Sequence, residues 1–344
     1  MINLHLFIPS LFWHDTSLPE IYRELPISDL EAMLAKSSMT KELPQKYEAW
    51  LCNTFKVTKQ QNWPIAPITL KAENSSMLFT DKDFWMRADP VHLRIEQNHI
   101  LLADNQVLNI AIKESKQLAD TLNDHFANRG LEFLLMNHDR WYIKLRKTPD
   151  MKTYELSHIT GKNINNFLPS GEDSKFWHHI FNEIQMLLHE HPINLARLAR
   201  KELPINSVWF WGGGVMPASC RSPFLQIWSD EFLSSALALA SGTKHAKLPP
   251  NAKTWQQSTA PGDHLVVIDR LWKKAQYNDT YGWREAFKQL EKNWLSPLFA
   301  TIQEGNLNTL TITSTNENAT RNFTISRKNL WKFWRVTKPL SIYT

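Results

Sequence analysis

Cysteine is scarce in this sequence, and long apolar runs are missing. The 344 residues include two cysteines, Cys52 and Cys220, which lie far apart. Two isolated thiols supply neither a zinc-site spacing nor a disulfide framework, and they suit a reducing compartment. No apolar run approaches the roughly 18 residues of a membrane span, and the apolar N-terminus has no basic stretch or small-residue cleavage site. We therefore expect a cytoplasmic protein that has no membrane partner.

Nucleotide-binding motifs, internal repeats and blocks of like charge are also missing. The glycines Gly212, Gly213 and Gly214 are not followed by Lys-Ser or Lys-Thr, and their spacing is not that of a dinucleotide-binding loop. The net charge is +5, but the basic residues are scattered, which gives only weak attraction to polyanions. The stretch WKFWR at 331–335 is the one hint of base stacking. We do not expect nucleic acid as a partner.

The second half of the chain shows strands that alternate with helices. Residues 174–191 carry an apolar stripe at helical spacing, and 281–302 form a second long helical candidate. Apolar runs at 207–211, 264–269 and 307–314 predict buried strands. Alternation of this kind indicates a mainly parallel sheet.

The first half has a different pattern. A first strand is predicted at 4–8, and two hairpins are predicted by 91–102 and 131–146. The segment 41–55 is a helical candidate, and the Pro-punctuated WPIAP at 63–67 is expected to be extended. A loop-like stretch ends at Gly171. We therefore divide the chain into an N-terminal α+β region, residues 1–170, and a C-terminal α/β region, residues 171–344, that completes the main sheet.

The segment RADPVHLR contains the best candidates for an anion site. Strand alternation places His92 and Arg94 on one face, and Arg87 and Asp89 come just before them. Arginine offers a planar charged fork and histidine a tunable donor, so the pair suits an anionic group. Structural Arg87–Asp89 or Arg94–Glu96 ion pairs are equally compatible with the sequence.

The three glycines are a second candidate ligand site. A strand that runs into Gly212–Gly214 would expose backbone N–H groups to a phosphate, with Arg221 or Ser222 nearby. A tight turn beneath packed tryptophans explains the same glycines without a ligand.

Metal-ligand candidates are scattered. His179 and Glu183 lie one helical turn apart, and His178 shares a polar helix face with His189; such spacing can hold zinc, although a solvated helix face is the simpler interpretation. Asp269 at the end of a strand and Asp279 beyond it could supply carboxylates. Without an identified third ligand, neither set predicts a metal site.

Five segments together resemble a known family: RADPVHL, LNDHFANRGLEF, RWYIKL, NEIQMLLHEHPIN and INSVWFWGGG. Over most of its length the chain is similar to the bacterial regulatory-protein family of RpfE type, many members of which are labelled phosphoglycerate mutase. The last two segments are also similar to archaeal-type cofactor-independent phosphoglycerate mutases. The resemblance implies an alkaline-phosphatase-like α/β fold, with a mainly parallel sheet, helices on both faces and an antiparallel α+β region in the first half.

The resemblance also implies chemistry whose residues are missing here. Active members use two divalent metals and a Ser or Thr nucleophile to move a phosphoryl group. In place of their Asp-Gly after the first strand, this chain has Pro9-Ser10; Trp283 stands where they have a histidine; and 313–316 replaces an Asp-His pair. A two-metal site lacking those ligands should not assemble, so we expect no cofactor.

These observations favour a regulatory protein that binds a small phosphorylated ligand or a protein partner, with a degenerate phosphoglycerate-mutase-like fold and no metal-dependent catalysis. The alternative is an active phosphoglycerate mutase or related phosphoryl-transfer enzyme. It would use Mn²⁺ or Mg²⁺ on a rearranged ligand set: Asp15, Asp269, Asp279 and His178 or His179. A nucleic-acid accessory role rests only on the basic charge and the stretch at 331–335.

Overall fold

A computed structural model describes residues 1–76, 78–80, 82–96, 99–332 and 334–343. Its strands are β1 (Ile2–Phe7), β2 (Ser38–Glu42), β3 (Phe84–Glu96), β4 (His99–Ala103), β5 (Phe133–Asn137), β6 (Arg140–Leu145), β7 (Ser207–Gly214), β8 (Gln226–Trp228), β9 (Lys244–Ala246), β10 (Gly262–Val267), β11 (Thr309–Thr315) and β12 (Thr320–Ser326). Its helices are α1 (Ser28–Lys36), α2 (Tyr47–Thr54), α3 (Ile65–Glu73), α4 (Asn105–Leu108), α5 (Ile112–Phe126), α6 (Leu156–Ile159), α7 (Ser174–His189), α8 (Pro192–Ala199), α9 (Phe232–Ala240), α10 (Ala252–Gln257), α11 (Arg270–Gln276), α12 (Thr280–Leu290) and α13 (Ser296–Glu304). A π-helical stretch, Glu291–Leu295, joins α12 to α13. None of the helices within the described ranges combines the length and hydropathy of a membrane span.

The chain forms two compact units. Residues 57–220 make up one, here called the inserted unit, and residues 1–56 with 221–344 make up the other, the discontinuous unit. This division differs from the one at residue 170 that the loop-like segment suggested. Helix α7 lies beyond residue 170, yet its apolar stripe joins the core of the inserted unit through Trp177, Ile180 and Ile184.

The discontinuous unit contains the parallel sheet. Among the described residues its strand order is β2-β12-β11-β1-β10-β8-β9. Strand β1 lies between β10 and β11 and runs parallel to both, and β8 and β9 continue the parallel run. Strands β12 and β2 close the other edge in antiparallel pairing. The predicted mainly parallel sheet is confirmed.

The side chains of β1 alternate between the two faces of this sheet, and helices pack against both faces. Leu4 and Leu6 enter a large core with α1, α12 and α13, whereas Phe7 points to the opposite face and stacks on Trp50 of α2, ring centroids 3.8 Å apart. Successive residues of a strand point to opposite faces, so one apolar strand can be buried on both sides. The helices on both faces, as the resemblance implied, are confirmed.

The inserted unit contains an antiparallel sheet. Its strands follow the order β4-β3-β6-β5 within the described residues, and β7 pairs with β3. Helices α5 and α7 cover one face, and α3 covers part of the other against Trp85 and Tyr142. Both predicted hairpins are present; the Gln97-Asn98 turn of the first lies outside the described residues.

The placement of β7 corrects one prediction. Its continuous apolar run suggested a strand of the parallel sheet, but the structure pairs it antiparallel to β3. A run of apolar residues indicates burial on both faces, and an antiparallel strand covered by helices on both sides gives the same pattern as a parallel one. The run therefore does not identify the sheet.

Proline explains two other differences. The segment at 63–67 is not extended throughout, because α3 begins at Ile65 and contains Pro67 in its first turn, where a backbone N–H has no helical partner to lose. The helical candidate at 41–55 is divided at Pro44 into β2 and the shorter α2.

Candidate functional site

The carboxyl edge of the parallel sheet is the first place to look for a site, because open α/β sheets bind ligands there. Strands β1, β8, β10 and β11 end at this edge. The chain then continues into Pro9-Ser10 after β1, Ser229-Asp230-Glu231 after β8 and Ile268-Asp269 after β10. These segments supply hydroxyls and carboxylates, but the surrounding contacts decide what they can do.

The segment after β1 is fixed by backbone and indole hydrogen bonds. Ser10 N–H donates to the Thr315 carbonyl at 2.9 Å, and the Ser10 carbonyl accepts from Trp283 Nε1 at 2.9 Å. Trp283 is completely buried. Its ring makes edge contacts with Trp13 and Tyr22, at centroid distances of 5.6 and 5.7 Å. An aromatic cluster therefore lies against the end of β1.

Carboxylates do gather beyond β8 and β10, around Tyr47. Glu231 accepts the Tyr47 hydroxyl at 3.0 Å and the first N–H groups of α9, from Leu233 and Ser234, at 2.8 Å each. Burial raises the pKa of Glu231, and the negative charge of Asp269 raises it further. A carboxylate that caps a helix N-terminus is stabilised by the helix dipole, so the donors of α9 offset part of the effect of burial.

Asp269 is nearly buried and lies 2.6 Å from the ammonium group of Lys273, one helical turn onward. The Tyr47 ring stacks on Trp272 with centroids 4.3 Å apart. Burial raises the pKa of Tyr47 well above its ordinary value, so its hydroxyl keeps its proton and donates. Tyr47 and Glu231 are thus hydrogen-bonded to each other at the sheet edge, and the charge of Asp269 acts on both.

The other metal-ligand candidates are engaged elsewhere. Asp15 is exposed and accepts from Ser17, which lowers its pKa. Asp279 caps α12 by accepting the Gly282 N–H, which is the first cause of its lowered pKa. The His178 ring contacts the Pro169 carbonyl at 2.8 Å, and His179 is exposed. In the part of the chain that the structure describes, no three His, Cys, Asp or Glu side chains converge at metal-ligand range, so the residues present do not fit a two-metal centre.

In the inserted unit, Arg87 and Asp89 form a buried ion pair. The Arg87 Nε and Nη2 atoms donate to the two Asp89 oxygens at 2.9 and 2.8 Å. Asp89 also accepts from Trp211 Nε1 at 2.7 Å. The Arg87 guanidinium lies between Tyr142 and Trp211, 5.1 and 5.2 Å from their ring centroids. Burial raises the pKa of Asp89, against the opposing charge of Arg87. This geometry is that of a structural ion pair, which the sequence left open as an alternative to an anion site.

His92 and Arg94 do not join this pair. They differ from Arg87 by an odd number of residues along β3, so they point to the opposite face. His92 is buried, its Nδ1 lies 2.8 Å from the Pro204 carbonyl, and burial lowers its pKa. Arg94 is exposed and paired with Glu96. The predicted grouping of Arg87, His92 and Arg94 around one anion is therefore not formed.

The glycines Gly212, Gly213 and Gly214 are buried and form the last three residues of β7. Trp211 opposes Arg87 and Gly214 opposes Trp85, so β7 has one more residue than β3 over this step. Gly212 has φ +63°, as the first residue of a glycine β-bulge does. A Cβ on Gly212 would meet Ile65 at 2.9 Å, one on Gly213 would meet Phe84 at 2.9 Å, and one on Gly214 would meet Pro64 at 2.7 Å.

Protein side chains thus occupy the space beside the glycines, in which we expected a phosphate to bind. Arg221, expected near that phosphate, belongs to the discontinuous unit and is exposed, with its backbone N–H bonded to the Phe55 carbonyl.

Two polar residues at the sheet edge, Glu231 and Arg321, were not among the sequence-based candidates. Glu231 is an acidic residue at an N-cap after a strand, a combination that already indicates the edge of an α/β sheet. Arg321 was not considered. It alternates with Phe323 and Ile325 along β12, which places a charged side chain on the core face.

Comparison with known proteins relates part of this chain to one enzyme family. The family model for 2,3-bisphosphoglycerate-independent phosphoglycerate mutase matches residues 69–194. The enzyme of that name from Methanosarcina barkeri is 27% identical over 167 residues, which cover 46% of this chain and 39% of the relative. The Methanosarcina mazei enzyme is 28% identical over 143 residues, 38% of this chain and 34% of the relative. These matches span less than half of the length of either relative.

Solved structures match over a greater length. The cofactor-independent phosphoglycerate mutase of Thermoplasma acidophilum superposes with a TM-score of 0.50 at 13% identity, covering 99% of this chain and 94% of that one. A protein of Pyrococcus horikoshii superposes with a TM-score of 0.53 at 10% identity, covering 94% and 87%. At such identities the likeness concerns the fold alone. The chain shares the fold of the cofactor-independent phosphoglycerate mutase of Thermoplasma acidophilum and is similar in sequence to phosphoglycerate mutases over part of its length.

Proposed function

We propose that this protein is a cytoplasmic, non-catalytic relative of the phosphoglycerate mutases that acts by binding a ligand or a protein partner in a regulatory role. The assignment to an RpfE-type regulatory family belongs to this proposal. The protein would keep the fold of the enzymes while its sheet edge performs no metal-dependent phosphoryl transfer.

The observation that carries the proposal is the contact between Trp283 and Ser10. The resemblance implies a metal-binding histidine at the position of Trp283, but the indole N–H donates to a backbone carbonyl at the end of β1. An indole nitrogen is a donor only and offers no lone pair to a metal. Because the ring is completely buried, a metal could not enter there without unpacking the core.

The distribution of sequence similarity supports the same view. The family-model match at 69–194 lies wholly within the inserted unit, residues 57–220. The parallel sheet and its carboxyl edge belong to the discontinuous unit, outside that match. A relative that has lost its catalytic centre would keep sequence similarity in the inserted unit and carry substitutions at the carboxyl edge of the parallel sheet. This chain has both features.

The test is conversion of 3-phosphoglycerate to 2-phosphoglycerate, coupled to enolase, by the purified full chain with Mn²⁺ or Mg²⁺. The Methanosarcina barkeri enzyme, assayed in parallel, serves as the positive control, and circular dichroism establishes that the protein is folded. We expect no turnover above that of a blank. Turnover that EDTA abolishes would overturn the proposal and favour the rearranged enzyme.

A direct measurement of Mn²⁺ binding by titration calorimetry adds a readout that does not depend on substrate choice. We expect no saturable Mn²⁺ site at micromolar concentration. If a site is found and Asp269→Asn removes it while Asp15→Asn does not, the ligands at the sheet edge bind metal after all.

A further inference from the structure

A basic cavity lies in the discontinuous unit between the edge of the sheet and the C-terminal segment. It has a volume of about 600 Å³, within the range of small-molecule sites. Its basic lining residues are Lys41, Arg321, Arg335 and Lys338. Apolar and aromatic side chains, among them Tyr343, complete the wall, and the described residues that line it include no carboxylate.

Arg321 is the unusual member of this set. It is 2% exposed, yet its Nη1 atom has no hydrogen-bond partner, and within the described ranges no carboxylate is ion-paired with it. The Phe12 ring, 5.6 Å from the guanidinium carbon, is a neighbour that contributes only a cation–π contact. Burial lowers the pKa of Arg321, and the nearby Tyr22 hydroxyl raises it.

A buried guanidinium without an anion is unfavourable, because lost hydration is not replaced. Even with a lowered pKa an arginine stays charged at neutral pH. The chain thus keeps an unpaired charge in its core, on a residue that lines the cavity. Arg335, whose Nη1 donates to the Ser37 carbonyl at 2.9 Å, is held in place at the same cavity and adds a second guanidinium.

We propose that this cavity binds an organic oxyanion, a phosphate ester or a carboxylate, with its charged group on Arg321 and its apolar part against Tyr343 and the neighbouring apolar wall. Arginine binds the planar or tetrahedral oxygens of both groups through parallel N–H donors. Lys41 and Lys338 at the exposed rim attract the anion. The site contains none of the sheet-edge carboxylates, so the inference goes beyond the proposed function and stands whether or not the protein catalyses a reaction.

The test uses phenyl phosphate, benzoate and the neutral analogue phenol as probes, with the thermal midpoint of unfolding of the full chain followed at low ionic strength. A ligand that binds only the folded state raises the midpoint in a saturable way. We expect phenyl phosphate, benzoate or both to do so and phenol not to. Response to phenyl phosphate alone identifies a phosphate-ester site, whereas response to both identifies a general oxyanion site.

Two variants locate the binding. Arg321→Met should weaken binding roughly tenfold or more, because charge-assisted hydrogen bonds are lost, while the unliganded midpoint rises or stays unchanged. Arg327→Gln, an exposed arginine outside the cavity lining, should respond as the parent does. If Arg321→Met does not fold, Lys338→Gln, at the exposed rim, should still weaken binding about two- to fivefold, as expected for one fewer attracting charge.

A parent protein that responds to neither anion would overturn the inference. So would an Arg321→Met protein, or a Lys338→Gln protein where the former does not fold, that binds as tightly as the parent. The mutase assay is a separate measurement, so failure here leaves the proposed function standing.

Discussion

Replacing Glu291 by Gln should stabilise this protein at pH 8 and change its stability far less at pH 5. Glu291 begins the π-helical stretch between α12 and α13 and is 4% exposed. Its Oε1 accepts from the Leu30 N–H at 3.2 Å and the Ser296 hydroxyl at 3.4 Å. Within the described residues Oε2 has no hydrogen-bond partner, and no cation is paired with the carboxylate.

The magnitude follows from the pKa of this group. Burial raises the pKa of Glu291 from 4.5 to about 7. Because the folded-state pKa is the higher one, the stability that protonation provides is full below pH 4.5 and is lost as pH rises through 7. At 1.36 kcal/mol per pKa unit, this loss between pH 5 and pH 8 amounts to about 2.5 kcal/mol. Gln keeps the acceptor for the Leu30 N–H and carries no charge, so the stability of the Gln variant does not fall in this way as pH rises.

The assay is urea unfolding of the parent and of Glu291→Gln at pH 5, 6, 7 and 8. The free-energy difference between them should grow in favour of Gln by about 2.5 kcal/mol over this range. Glu285→Gln is the matched control, because Glu285 lies one and a half turns earlier with a side chain 45% exposed and paired with Lys288. A difference that does not change with pH, or an equal change in the control, would refute the reasoning.

Two further predictions concern the inserted unit. Asp89→Ala should destabilise by roughly 3–5 kcal/mol because it leaves Arg87 buried and unpaired, whereas Arg94→Ala at an exposed pair should cost less than about 1 kcal/mol; urea unfolding checks both, and equal losses would contradict the burial argument. Gly212→Ala should lower the free energy of unfolding by about 2 kcal/mol or more, because Gly212 has a positive φ and an added Cβ would clash with an isoleucine side chain. Gly242→Ala, at φ +67° with open space around its Cβ position, should show only the backbone part, about 1 kcal/mol, so equal thermal shifts would exclude a packing contribution at Gly212.

The sequence predicted best what depends on local periodicity. Helix α7 and both hairpins were found because their apolar spacing covers a single face over many residues. Alternation could also have separated Arg87 from His92, five residues onward, since an odd separation along a strand means opposite faces. The separation of these two side chains required no tertiary information to foresee.

What could not be predicted depends on residues far away in the chain. Glycines such as Gly213 indicate that something approaches the backbone closely, but Phe84, more than a hundred residues earlier, is what fills the space. Likewise the apolar run of β7 indicates burial without naming β3 as its partner. The unpaired state of Arg321 depends on which side chains of distant elements reach its guanidinium, and no local pattern records that.

The position of β1 between β10 and β11 has a consequence for synthesis on the ribosome. Strand β1 pairs with strands that begin at residues 262 and 309, so its two edges stay open until those residues have been synthesised. Such distant pairings slow folding, because the chain entropy of closing a long loop is lost before the contacts form. Residues 57–220, by contrast, are contiguous and have a core of their own. The inserted unit can therefore fold before β10 and β11 have been synthesised, while β1 is still unpaired. Unpaired β1 is the segment for which a nascent chain would most need a chaperone.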